Sequence, residues 1–147
     1  MTANVQHEYN TDFYAWTAHN ANMIRKGNFS EVDRENIAEE IESMGKRDRR
    51  QLINRLAVLI SHLLKWQYQP MRRSNSWELT IKEQRNKVFE LLEDSPSLKH
   101  ELELRQNTAY RNAVFMAAKQ TGLGVSNFSE DCQFTIEQCL DAQFFPE

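Results

Sequence analysis

Glycine and proline are scarce in this chain of 147 residues, with only four of the first and three of the second. Sheet turns consume both residues, so their scarcity argues for long helices over a β fold. An excess of one charge is also missing: 18 Lys and Arg against 21 Asp and Glu leave a formal net charge of −3. A general nucleic-acid binder is usually basic, so nucleic acid is an unfavoured partner. No apolar run approaches the roughly 18 residues of a membrane span. The start, Met1 to Tyr9, is polar and lacks a signal-peptide core. A cytoplasmic location is therefore expected. The two cysteines, Cys132 and Cys139, match neither a CxxC redox pair nor a zinc spacing, and two reduced thiols are expected. Gly-rich phosphate loops, a nucleophile elbow and a Cys–His dyad at a readable spacing are absent, and no cofactor is implied.

What the chain does contain is helical periodicity. Hydrophobic residues make up 40% of it, enough for a core at this length. Phe13, Trp16, Met23 and Ile24 fall on one face of a helix expected from Thr11 to Lys26, which Gly27 stops. Asn20 lies inside that face and needs a buried partner. Ile37, Ile41 and Met44 form the expected inward stripe of a second helix, interrupted at Gly45. Lys46 to Gln69 carries the broadest apolar face, from Leu52 through Leu56, Leu59, Ile60, Leu63 and Leu64, and Pro70 ends it. A fourth helix places Trp77, Ile81, Val88, Leu91 and Leu92 inward and breaks at Ser95-Pro96. A fifth runs from Ser97 to Gln120, closed by Thr121-Gly122-Leu123-Gly124. Thr135 with Gln138 forms a capping-box signature for a short terminal helix. The fold class is all-α: a compact antiparallel bundle of about five main helices plus a short C-terminal one, forming a single domain over residues 1–147.

Several strings carry a resemblance. They are Asp12-Phe13-Tyr14-Ala15-Trp16, Ile37-Ala38-Glu39-Glu40-Ile41-Glu42-Ser43-Met44-Gly45, His62-Leu63-Leu64-Lys65-Trp66-Gln67-Tyr68-Gln69-Pro70 and Arg73-Ser74-Asn75-Ser76-Trp77, followed by Phe134-Thr135-Ile136-Glu137 and Phe144-Phe145-Pro146. From about Tyr9 to Pro146 the chain resembles domain-of-unknown-function family number 29. The resemblance implies a bacterial protein, common in cyanobacteria, that is almost entirely helical and has no established activity. At Ser129-Glu130-Asp131-Cys132-Gln133 the family more often has Pro-Glu-x-Cys-Pro, a departure that bears on the rigidity of that loop.

Two polar constellations could carry chemistry. Arg55 and His62 lie seven residues apart, nearly above one another on a helix. The His can move a proton near neutral pH while the Arg stabilises a phosphate. Their spacing resembles the Arg-x(4–6)-His motif of helical toxin ribonucleases, although Leu56 stands where a polar residue commonly follows the Arg. A boundary Arg more often pairs with a carboxylate, and a boundary His is more often a hydrogen-bonded structural group. In Glu39-Glu40-Ile41-Glu42, Glu40 borders the expected buried face. It is better read as orienting a basic partner such as Arg55, or bonding another helix, than as a metal ligand. A di-metal bundle wants Glu-x-x-His pairs, and His7, His19, His62 and His100 are scattered singly. No metal is expected.

Lys65, Trp66, Arg72, Arg73 and Trp77 mix cations with aromatics around one corner. Such a corner can anchor a protein partner or stack bases, or simply pack on itself with the cations covering the rings. The leading functional expectation is a non-enzymatic interaction or regulatory domain that binds another protein or itself. The alternatives are a ribonuclease or phosphodiesterase using Arg55 and His62, and then a metal-dependent bundle enzyme.

Overall fold

A computed structural model describes residues 3–147. Among them lie six α-helices and no strand: α1 (Ala3–Thr11), α2 (Phe13–Arg25), α3 (Arg34–Tyr68), α4 (Asn75–Asp94), α5 (Leu102–Thr121) and α6 (Ile136–Leu140). The chain is all-α, as the shortage of glycine and proline implies. It divides into two compact units, Met1–Arg47 and Asp48–Glu147.

In the N-terminal unit the helix expected from Thr11 to Lys26 is α2, and a further helix, α1, precedes it. Asp12 caps α2 by accepting from the Ala15 N–H at 3.1 Å, with non-helical φ of −149°, so α1 stops where α2 begins. Gly27, at φ 77°, lets the chain leave α2 through the left-handed region. Of the apolar residues on the predicted α2 face only Trp16 is buried, beside the buried Asn20; Phe13 and Ile24 are exposed.

A buried polar cluster ties α2 to the start of α3. Trp16 donates from Nε1 to Asp33 Oδ2 at 3.0 Å, and Asn36 Nδ2 donates to the same oxygen at 2.7 Å. Asn20 receives the Asp33 N–H on Oδ1 at 2.8 Å and donates to the Trp16 carbonyl at 2.9 Å. The buried partner that Asn20 required is therefore Asp33. Tyr9 and Phe13 cover Trp16, with ring centroids at 4.8 and 5.5 Å.

Two further expectations are corrected here. Gly45 does not interrupt the chain: α3 passes through it as one helix of 35 residues. A single glycine costs a helix only about 1 kcal/mol relative to alanine, and the Glu, Met, Lys and Arg around it are good helix formers. Nor does the stripe of Ile37, Ile41 and Met44 face inward, because Ile41 is 62% and Met44 56% exposed. The pattern is amphipathic, but no element of the unit covers it.

The C-terminal unit is a helical bundle built around the remainder of α3. Leu52, Leu56, Leu59, Ile60 and Leu63 are fully buried, and so are Ile81 and Val88 of α4. α5 contributes Ala109, Ala113 and Ala117, also fully buried; side chains this small allow close approach of a neighbouring helix. Ser74 caps α4, accepting from the Trp77 N–H at 3.2 Å. The helix expected from Ser97 begins instead at Leu102, after a 3-10 stretch from Pro96 to Glu101. There the Leu98 N–H bonds back to the Ser95 carbonyl at 2.9 Å, which closes the turn at three residues. Gly122, at φ 78°, ends α5, and Thr135 and Gln138 complete the expected capping box of α6.

Candidate functional site

The aromatic–basic corner lies within the C-terminal unit, at the end of α3, the link and the start of α4. Lys65 is 7% exposed. It donates to Gln120 Oε1 at 2.8 Å and stands 4.7 Å above the Trp77 ring. Its burial favours the neutral amine and lowers its pKa. Arg73 donates from Nε to the Trp66 carbonyl at 2.8 Å and from Nη2 to the Pro146 carbonyl at 3.3 Å. Its guanidinium also lies 5.1 Å from the Trp66 ring, which packs at 5.0 Å against Phe145. Two groups of this corner, Arg73 and Trp66, thus fasten the C-terminal tail, while Lys65 ties the corner to α5. Trp66 and Trp77 are half-buried, while Arg72 is exposed and Met71 is 96% exposed.

Arg85 fastens the same tail, and sequence reasoning missed it. It is 2% exposed. Nε donates to the Cys139 carbonyl at 2.8 Å, and Nη2 to the carbonyls of Phe144 at 2.7 Å and Gln138 at 3.3 Å. The signal was available: Arg85 occupies a helical position between Ile81 and Val88, on the apolar face of α4.

The Arg55 and His62 side chains part company. Arg55 lines a polar cavity of about 280 Å³ with Asp48, Gln51, Lys87, Glu90 and Asp94. His62 is not among the residues around that cavity. Its Nδ1 donates to the Val58 carbonyl at 3.0 Å, with the Ser61 hydroxyl at 3.4 Å. Burial lowers the His62 pKa below its ordinary 6.5, and the Lys65 charge acts in the same direction. The Val58 bond opposes both.

A neutral folded-state imidazole has a pH signature. The folded protein binds fewer protons than the unfolded chain, so stability is complete above about 6.5 and falls as the pH drops below it. Urea unfolding of wild type and His62→Gln between pH 7.5 and 5 should show the wild type losing more stability. Equal slopes would refute that assignment.

Glu40 accepts a hydrogen bond from the Tyr9 hydroxyl of α1. That bond, ahead of burial and nearby acid charge, pushes the Tyr9 phenol up to about 12. Of the two roles expected for Glu40, the contact to another helix is the one present. Glu39 and Glu42 are exposed. Among the described residues no group of three His, Cys, Asp or Glu side chains converges as a metal ligand set, and no helix is long and apolar enough to cross a membrane.

No curated protein and no solved structure matches this chain. A helical chain carrying the Glu-Glu-Ile-Glu-Ser-Met-Gly and His-Leu-Leu-Lys-Trp-Gln-Tyr-Gln-Pro strings does match one family model, over residues 8–145, and so belongs to the domain of unknown function DUF29.

Proposed function

We propose that this chain is a non-enzymatic protein-interaction or regulatory domain whose contact surface is the uncovered apolar face of its N-terminal unit. One observation carries the reading. Phe13, Tyr14, Ile24, Phe29, Ile41 and Met44 are all between 42% and 85% exposed, whereas among the described side chains of that unit the buried apolar ones are Trp16 and Val32. Scattered exposed hydrophobics are ordinary; a small unit that exposes more large apolar side chains than it buries has the makings of an interface. Ile41 and Met44 stand three residues apart on a continuous helix, a spacing that another helix can grip. The corner is then mainly internal packing, with Trp66 and Arg73 strapping the tail and Lys65 and Trp77 set against each other and Gln120, and Arg72 is its exposed member.

The test is association of the purified chain, by sedimentation for self-pairing and by affinity recovery of a partner from its native lysate. Ile41→Glu with Met44→Glu should weaken the association at least about tenfold while circular dichroism stays helical. Arg72→Ala should weaken it less. Undiminished association of the folded double variant would overturn the assignment of this face. RNA cleavage by the wild type, lost in a folded His62→Ala variant, would overturn the non-enzymatic reading in favour of the ribonuclease one.

A further inference from the structure

Cys132 and Cys139, unremarkable by their spacing, meet in the fold. Cys132 lies in the loop before α6 and is half-buried; Cys139 lies within α6 and is fully buried. Both are free thiols, and both sulfurs lie against the same side-chain amide. Gln106 of α5 spans the pair, its Nε2 being 3.7 Å from Cys132 Sγ and 3.9 Å from Cys139 Sγ. The same nitrogen donates to the Phe134 carbonyl at 2.7 Å, which fixes the amide between the sulfurs and the loop. One sulfur is reachable, the other is sealed behind it, and a neutral donor addresses both.

We infer that Cys132 and Cys139 are a peroxide-responsive dithiol that closes into a reversible disulfide, with Cys132 as the attacking sulfur and Cys139 as the resolving one. The division of roles follows from position. A peroxide can approach the half-buried Cys132 but not the sealed Cys139. Electrostatics point the same way: the neighbouring Cys139 thiol lowers the Cys132 pKa against the opposing effect of burial, while Cys139 is driven up by that neighbour and by its own burial.

The chemistry balances with a hydroperoxide as oxidant. The Cys132 thiolate attacks the O–O bond; an S–O bond forms, and the leaving hydroxide takes a proton to become water. Cys139 then displaces the hydroxyl of the Cys132 sulfenic acid. The S–S bond forms, the S–O bond breaks, and the Cys139 proton leaves with that hydroxyl as a second water. Two thiols are oxidised by two electrons and one hydrogen peroxide is reduced to two waters. The product joins the 129–135 loop covalently to α6, whose Cys139 carbonyl Arg85 holds from behind. Oxidation therefore locks the tail at the point where the bundle already grips it.

The experiment treats the full chain with equimolar hydrogen peroxide at pH 7, followed by alkylation and intact mass. The wild type should lose both alkylatable thiols and two hydrogens of mass, and recover both with dithiothreitol. Cys139→Ser should stop at a sulfenic acid on Cys132 that dimedone traps. Cys132→Ser should keep its remaining thiol. The inference is overturned if the wild type gains oxygen on Cys132 while Cys139 stays alkylatable, if it forms only intermolecular disulfides, or if both thiols survive. The wild-type result decides the matter even if a serine variant fails to fold.

Discussion

Arg85→Met should lower the stability of the C-terminal unit by about 3 kcal/mol, read as a fall in the urea midpoint with an unchanged slope. Methionine fills much of the arginine stem but donates nothing, so the carbonyls of Cys139 and Phe144 lose the donor they now have, while the Gln138 carbonyl keeps the Asp141 N–H at 3.3 Å. Each buried, unpaired carbonyl costs on the order of 1–3 kcal/mol. The full sum overstates the loss. Arg85 Nη1 is itself buried with no acceptor, and removing a buried cation relieves its desolvation cost. The cation's 5.4 Å approach to the Phe145 ring is lost as well. Amide exchange should quicken first around α6 and the tail, while α3 keeps its protection. A change below about 1 kcal/mol would show that the tail's carbonyls find other donors, and that Arg85 is not its anchor.

Asp33→Ala should open the N-terminal unit and leave the C-terminal unit folded. The fully buried Asp33 carboxylate accepts from Trp16 and Asn36, and its backbone N–H meets Asn20. Alanine leaves the Trp16 indole N–H and the Asn36 amide without that acceptor inside a unit whose buried apolar residues, among the described side chains, are Trp16 and Val32. The expected cost is about 3 kcal/mol. So small an apolar core has little with which to offset it. Hydrogen exchange should therefore lose protection over α2 and the first turns of α3, with the leucine-rich stretch from Leu52 to Leu64 still protected. Asp33→Asn keeps an acceptor for Trp16 and should lose roughly half as much. Equal loss of protection in both units would mean that they unfold as one, and the prediction would fail.

These two residues mark where the sequence was legible and where it was not. Periodicity found the central helix because Leu52, Leu56, Leu59, Ile60 and Leu63 repeat on one face and burial obeys that repeat. Local chemistry found the Thr135–Gln138 capping box and the Gly122 stop, since both depend on residues close in sequence. The break at Asp12, the cap that separates α1 from α2, is not visible in the pattern. That break turns on one backbone dihedral, to which side-chain pattern is insensitive. The stripe of Ile41 and Met44 shows a different limit. An amphipathic pattern says that a helix has an apolar face, not that its own chain supplies a cover.

The candidate sites divide on the same line. The spacing of Arg55 and His62 was correct as helical geometry, yet seven residues still leave room for one side chain to line a cavity and the other to bond its own helix. The corner from Lys65 to Trp77 was legible as cations among aromatics. Its attachment to Gln120 and Pro146 was not, because those residues are distant in the chain.

By itself the sequence determined the all-α class, the family and the main helix of the core. Each follows from composition, from distinctive strings or from a 3.6-residue repeat, all of which are local properties. The tertiary structure alone decided the partners of the polar residues: Asp33 with Trp16, Glu40 with Tyr9, Arg85 with the tail and Gln106 with both cysteine sulfurs. A buried polar group must find a complementary atom wherever packing happens to bring one. That atom lies on another element, at a separation that sequence spacing does not encode.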